Sequence, residues 1–409
     1  MKLNYKCLGD YIQPVEGRNT DLRDIPLMGL SISKVFITSI ANTIGTNMAT
    51  YRIIKRNQFG YGPVTSRNGE KITIALFDDY DEAMISQAYT PFEVTDTEKL
   101  LPEYLMMWFR RPEFDRYARF KSHGSAREIF SWDEMQEVML PIPHPDKQRE
   151  IVAEYNIIQN RIKLNEQLIQ KLEETAQAIY REWFVEFEFP DENGKPYKSN
   201  GGEMVWNEEL QKEIPKGWEM DKLESISTQL MGFAFKGEQY STDSGISVLR
   251  GENVSEKFLR WDTHKKWNDE ITPRMKKCYL KEYDIVIGMD GSKVGKNWAV
   301  VSKYDLPLLL AQRVSCLRGI KVIYQNFIFY SMCVLDFENY VSQVQTGTSI
   351  PHISGQQIFN FPMLLPTDVV IKKFDTAISK MAEHKSIIIQ ENQKLTELKD
   401  LLLSKLASV

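Results

Sequence analysis

The stretch closest to phosphate chemistry is Gly291-Ser-Lys-Val-Gly-Lys296. A P-loop needs four residues between its glycines, so that successive backbone N–H groups cradle a phosphate, and a Ser or Thr after the lysine to hold magnesium. Here three residues separate the glycines and Asn297 follows the lysine. The spacing fails. Pro190-Asp191 with Lys195 is a poor match to a carboxylate–lysine nuclease centre and sits in a stretch rich in Pro, Gly and Asn. The chain has no Asp-Pro-Pro-Tyr or Asn-Pro-Pro-Tyr, the usual mark of adenine-N6 methyl transfer, no Gly-x-Ser-x-Gly elbow and no His-Glu-x-x-His. The four cysteines (Cys7, Cys278, Cys316, Cys333) form no CxxC pair, and the five histidines are scattered, so nothing has zinc-ligand spacing. The chemistry left is recognition.

Basic residues gather in two places: Arg110, Arg111, Arg116, Arg119, Lys121 and Arg127, then Arg260, Lys265, Lys266, Arg274, Lys276, Lys277 and Lys281. A net charge of −5 argues weakly against a nucleic-acid partner until it is located. Residues 186–215 carry three lysines against eight acids, which accounts for all of it. Distribution matters more than the sum. No run of about 18 apolar residues exists to cross a bilayer, and Met1-Lys-Leu-Asn-Tyr-Lys6 lacks the apolar core of a secretion signal. A cytoplasmic protein with reduced thiols and no membrane partner is expected.

The elements that must position these residues come twice. Laid on itself at a shift of 222–226, the chain sets Leu27-Met-Gly29 near Leu249-Arg-Gly251 and Ser66-Arg-Asn-Gly69 on Ser292-Lys-Val-Gly295. Gly124-Ser-Ala126 falls on Gly347-Thr-Ser349, and Gln170-Lys-Leu172 on Gln393-Lys-Leu395. Matches in one order at one near-constant shift mark an internal repeat. Ser131-Trp-Asp-Glu134 and Ser354-Gly-Gln-Gln357 are both capping-box patterns, each predicting a short helix after a Gly-containing turn.

From Gln148 to about Trp183 apolar residues recur in alternating steps of four and three: Ile151, Tyr155, Ile158, Ile162, Asn165, Ile169, Leu172, Ala176, Ile179 and Trp183. This is a heptad seam on a helix roughly 50 Å long. A poorer seam follows 223 residues on, through Phe374, Ile378, Met381, Lys385, Ile388, Asn392, Leu395, Lys399, Leu402 and Leu406. An antiparallel pairing of residues whose numbers sum to 557 sets Asn165 against Asn392, Ile151 against Leu406 and Trp183 against Phe374. A buried Asn pair would fix that register; the plainer alternative is that each helix packs on its own domain. Exposed apolar residues such as Leu168 and Leu398 would serve a partner helix.

The expected fold is mixed α/β: two similar recognition domains, residues 1–145 and 216–365, separated by two long antiparallel coiled-coil helices, 146–185 and 366–409. Residues 186–215 form a connector. Short β-like runs such as Ile72–Phe77, Asp284–Gly288 and Trp298–Val301 alternate with turns, and each domain carries one helical stretch near its end, Pro102 to Arg119 and Tyr324 to Val341.

This layout resembles the specificity (S) subunit of type I restriction-modification enzymes. The most specific parts are Leu140-Pro-Ile-Pro-His-Pro-Asp-Lys-Gln-Arg-Glu-Ile151 and Ala178-Ile-Tyr-Arg-Glu-Trp-Phe184 around the first helix, with Ile214-Pro-Lys-Gly-Trp218 opening the second domain. Gly288-Met-Asp-Gly-Ser292 and Pro63-Val-Thr-Ser-Arg-Asn-Gly-Glu70 are also similar to the family pattern. The resemblance implies a non-catalytic subunit whose domains each read one half of a split, asymmetric site in double-stranded DNA. It implies helices that set the spacing and dock two methyltransferase (M) subunits. No cofactor is then expected on this chain: S-adenosylmethionine would belong to the M subunits, and ATP with magnesium to restriction (R) subunits where present. A DNA-binding scaffold unconnected with methylation is the alternative.

Base edges are read by Arg, Lys, Asn, Gln and Ser on loops or helix starts. The candidates for DNA contact are therefore Ser66, Arg67, Asn68, Gln87, Ser125 and Arg127 in the first half. Lys293, Lys296, Gln312, Arg313, Thr348 and Ser349 are their counterparts in the second. Recurrence at one shift fits either function or a shared fold requirement. A salt bridge is the competing role for Arg313, a turn hydrogen bond for Ser125, and a solvated helix face for the basic residues of Pro102–Arg119.

Overall fold

A computed structural model of the chain describes residues 5–40, 44–66, 68–69, 71–124, 127–347 and 349–408. The chain divides into two compact units, Met1–Leu164 with Asn392–Val409, and Asn165–Glu391. Each is a mixed α/β body with its own apolar core.

The repeat is a repeat of topology. In the first unit an antiparallel sheet runs in the order Ile12–Pro14, Thr90–Val94, Phe59–Gly62, Thr73–Leu76. In the second the same order is filled by Ser227–Met231, Val314–Gly319, Ile285–Gly288 and Trp298–Val300, again antiparallel. Phe59–Gly62 and Ile285–Gly288 are buried on both faces, and in the second this reads as a continuous apolar run, Ile285-Val-Ile287. Gly60 has a packing reason: a Cβ there would lie 2.8 Å from Phe36 and 2.9 Å from Leu30, on the neighbouring sheet.

That second sheet also recurs. Leu27–Leu30 pairs parallel with Glu82–Ile85 and antiparallel with Phe36–Thr38; Ile246–Leu249 does the same with Leu308–Leu310 and Lys266–Trp267. At the edge, the strand Arg52–Lys55 of the first unit is matched in the second by the antiparallel bridge Tyr279–Leu309. The pairing also corrects one sequence match. The partner of Leu27–Leu30 is Ile246–Leu249, so Gly251 lies beyond the strand, in the turn Gly251–Asn253, rather than opposite Gly29.

The helical stretches are each two helices. Pro112 begins a second helix, Pro112–Lys121, after Pro102–Phe109, and Phe337–Val344 follows Tyr324–Val334. The second break falls at Asp336, left-handed at φ 55°, whose side chain accepts from Asn339 N–H. Both capping serines act: Ser131 accepts from Glu134 N–H and Ser354 from Gln357 N–H. Only the second box is reciprocal. Gln357 reaches back to Ser354 N–H at 2.8 Å, whereas Glu134 is drawn instead to Lys121 at 3.1 Å.

The long helices are Pro145–Phe184 and Asp368–Lys405. In the first unit Ile151, Val152 and Tyr155 share a core with Leu403 and Leu406. In the second, Trp183 lies 5.8 Å from Phe374, ring centre to ring centre. Both contacts follow the antiparallel register expected from the sequence. The seam drifts, however. Near its end the deeply buried residues are Ala176, Tyr180 and Phe184 rather than Ile179 and Trp183, because 3.6 residues per turn rotates a straight helix away from a strict heptad.

The stretch after the first helix is ordered by packing. Phe189 stacks on Trp218 at 5.1 Å and on Tyr197 at 4.5 Å, and Met204–Asn207 pairs with Lys212–Pro215 as a hairpin. Asp191 accepts from the N–H groups of Asn193 and Lys195, at 2.8 and 2.9 Å. Its carboxylate closes a turn.

Candidate nucleic-acid interface

In each unit the loops singled out by sequence come together. The connection after Phe59–Gly62 is laced to the hairpin tip beyond Lys121: Thr65 N–H donates to Glu128 O at 2.9 Å, Phe130 N–H to Pro63 O at 2.9 Å, and the hydroxyls of Thr65 and Ser122 lie 2.9 Å apart. The second unit repeats this, with Gly291 N–H donating to Pro351 O at 3.0 Å and Ile353 N–H to Met289 O at 2.8 Å. The tips are equivalent, bridged at His123–Ile129 and Thr346–His352.

Gly124 and Gly347 make these tips possible. Their φ angles are +136° and +95°, and a Cβ would stand 2.1 Å from Arg127 O and 2.3 Å from Ile350 O. No other residue fits either conformation or space. These two glycines, matched at a shift of 223, are the strongest sequence signal of the shared edge.

A third loop joins them. Gln312 and Arg313 are exposed in the turn before Val314–Gly319. Met289 N–H donates to Arg313 O at 3.0 Å, and the Arg313 guanidinium is 3.8 Å from Asp290. In the first unit Gln87 is exposed in the matching turn, and the Tyr89 ring packs 3.4 Å from where a Gly62 Cβ would lie. The structure therefore gathers residues from three sequence-distant loops onto one edge in each unit.

The individual residues divide by what they already do. Asn68 donates to Val64 O and Thr73 Oγ1, both at 3.0 Å, and is a turn brace. Ser66, Arg127 and Ser349 are exposed, as is Lys71. Arg67, Ser125 and Thr348 lie outside the described residues. Lys293 pairs with Glu256 at 3.5 Å and Lys296 with Glu338 at 2.9 Å; the hydrogen bond it donates to Glu338 holds the Lys296 ammonium above its usual range. Such exposed pairs contribute only ~0–1 kcal/mol, so a phosphate competes for these cations at little cost.

The basic helix of the first unit is different. Arg111 is buried, 4.3 Å over the Trp108 ring, and Arg110 donates to Tyr155 at 3.2 Å. Arg116 pairs with Glu113, Arg119 with Glu128, and Lys121 with Glu134. Arg111 is spent within the fold, whereas the pairs of Arg116 and Arg119 are about as exposed as those of Lys293 and Lys296.

Three residues outside the DNA-contact candidates hold the frame. Gln148 is fully buried: its amide accepts from Leu101 N–H and donates to Lys99 O and Pro143 O, each at 2.8 Å. It ties the start of the first long helix to the domain before it, which explains the Pro-His-Pro-Asp-Lys-Gln run. Glu173 and Lys385, largely buried, pair at 2.7 Å in the second unit. Burial alone would raise the Glu173 carboxyl, but Lys385 and a hydrogen bond from Gln177 outweigh it and hold it below its usual range. Lys385, an intruder in the seam by sequence, is a partner. Asn165 is 2% exposed, at the first position of the second unit.

Among the described residues no group of His, Cys, Asp and Glu could hold a metal, and no helix is long and apolar enough to cross a membrane.

No family model matches the chain. It is 32% identical over 219 residues to the EcoAI specificity subunit of Escherichia coli, covering 51% of this chain and 36% of that one. To the MjaIX specificity subunit of Methanocaldococcus jannaschii it is 26% identical over 322 residues, 75% of this chain and 68% of the other. To the HindI specificity subunit of Haemophilus influenzae it is 20% identical over 405 residues, 87% and 86%. The matched stretch thus spans about a third of the first relative's length and most of the last's. The S subunit structure from M. genitalium has the same fold, with a TM-score of 0.59 at 14% identity over 99% of this chain and 96% of that one. The fold is that of an S subunit over nearly the whole length, and the relatives compared are all described as type I restriction enzyme specificity subunits, the proteins this chain is similar to.

Proposed function

We propose that this chain is the DNA-reading, non-catalytic subunit of a type I restriction-modification complex, working in the cytoplasm. Each unit reads one half of a split site in double-stranded DNA through its three-loop edge. The observation that carries this is the edge itself: one backbone frame, built twice with a glycine-dependent tip, presenting different side chains each time. Because the matched loops differ in sequence, Arg67-Asn68 against Lys293-Val294, the two half-sites differ and the whole site is asymmetric.

The long helices set the spacing and dock two methyltransferase subunits. Support comes from apolar side chains they leave exposed: Ile157, Leu164, Leu398 and Leu401 in the first unit, and Leu168, Val369 and Ile387 in the second. S-adenosylmethionine enters on the methyltransferase subunits, and ATP with magnesium on restriction subunits when these join.

A genome-wide map of methylated adenines, with and without this gene, tests the reading. Loss of one bipartite asymmetric motif is expected; an unchanged map overturns it. The purified chain should be inert alone and should bring down a methyltransferase from its host.

A further inference from the structure

The second unit carries cations that its fold does not use. Thr272 caps the turn Pro273–Lys276 by accepting from Met275 N–H at 3.3 Å, and Met275 is buried against Phe235, Val248, Trp267 and Leu309. Cys278 and Leu280 are buried next to it, with Leu310 N–H donating to Cys278 O at 2.9 Å and Leu280 N–H to Leu308 O at 3.0 Å. Burying these three turns Arg274, Lys276, Lys277 and Lys281 to solvent. None of the four forms an ion pair among the described residues, unlike Arg250, Lys293, Lys296, Arg313 and Arg318 of the same unit.

The segment adjoins the loop edge. The Cys278 thiol donates to Met231 O at 3.8 Å. The next residues, Gly232 and Phe233, lie against the turn that carries Gln312 and Arg313: Gln312 N–H donates to Phe233 O at 2.7 Å, and a Cβ on Gly232 would stand 1.9 Å from Ala311 O. The Cys278 end of the segment thus lies against the Arg313 turn, which adjoins the 289–297 loop, while Lys281 lies further along, where Leu280 pairs with Leu308. In the first unit Arg23 pairs with Glu82 at 2.5 Å and Arg56 with Asp81 at 3.3 Å, while Lys55, on the edge strand of the matching sheet, is exposed and forms no ion pair among the described residues.

We propose that Arg274, Lys276, Lys277 and Lys281 are the phosphate-contact track of the second unit, continuous with its base-reading loops. This rests on the DNA-reading role proposed above. An unpaired surface cation keeps its counterions and its full charge, so neutralising a phosphate costs no internal ion pair and releases ions to the solvent. Phosphate contacts place the duplex and carry no base information. The track thus sets affinity and orientation while the loops set sequence.

The test is binding of the full-length chain to a mixed-sequence duplex of about 40 base pairs at KCl from about 50 to 200 mM. R274Q/K276Q/K277Q/K281Q should reduce the slope of log affinity against log salt by about 3 to 4, since each lost phosphate contact removes about 0.9. K276R/K277R/K281R should keep the parent slope. Neutralising the exposed lysines Lys195, Lys198, Lys212 and Lys216 to Gln changes net charge equally and should leave the slope alone. A parent slope in the first variant, or an equal fall in the connector variant, overturns the track. So does a changed methylation motif in cells carrying the first variant. A parent chain that binds no duplex at any salt overturns the DNA-reading role itself.

Discussion

Gly347 and Gly124 show how much rests on single residues here. Each holds a tip in a left-handed conformation with a carbonyl oxygen where a side chain would begin. Gly347→Ala should cost about 1–3 kcal/mol of local strain and open the Thr346–His352 bridge. Methylation by the assembled complex should then lose the half-site read by the second unit while the first is still recognised; Gly124→Ala should do the reverse. Retention of both half-sites in both variants would show that the tips do not read DNA. Ser349→Ala, at an exposed position two residues from Gly347, should leave the thermal midpoint unchanged, so stability and reading separate.

At the scale of elements the long helices are held by more than an apolar seam. Glu173 and Lys385 are a pair withdrawn from water, with Lys385 also 5.2 Å over the Phe329 ring. Glu173→Gln leaves the ammonium without its counter-charge and should cost about 3 kcal/mol, a fall in Tm of roughly 6–12 °C. Replacing both by Met should bring stability back to within about 1 kcal/mol of the parent or above it. The pair also predicts a pH dependence. The Glu173 carboxyl is held below its unfolded value of about 4.3, so its stabilisation is present above that value and is lost as pH falls through the lower, folded value. Acid melting of the parent should therefore steepen below about pH 4, and Glu173→Gln should remove that share; identical acid profiles would show the pair contributes nothing.

At the scale of the whole molecule, the spacing role proposed for the long helices can be tested by changing their length. One heptad added to each long helix lengthens it by about 10 Å, or about three base-pair steps of 3.4 Å. The methylated motif should keep both half-sites and gain about three bases in its unread gap. A gap that stays the same would show that the helices do not set it.

Much of this was legible in the sequence because its signals are local or periodic. The heptads announced two long helices, since a helix face repeats every few residues whatever surrounds it. The constant shift announced the duplication, and Gly124 with Gly347 marked turns that only glycine can make. Which loops meet was not legible: Thr65 with Glu128, or Gly291 with Pro351, are strand-edge hydrogen bonds between residues some 60 apart in sequence, and nothing in either segment names its partner. The status of each charge was equally hidden. Arg111 and Arg274 look alike in sequence, yet one is buried over Trp108 and the other is free in solvent. Lys385 read as a flaw in a seam until Glu173, 212 residues away, stood opposite it. Charge is a property of the residue, but whether it is spent or available depends on what folding places within a few ångströms of it, and that only the tertiary structure decides.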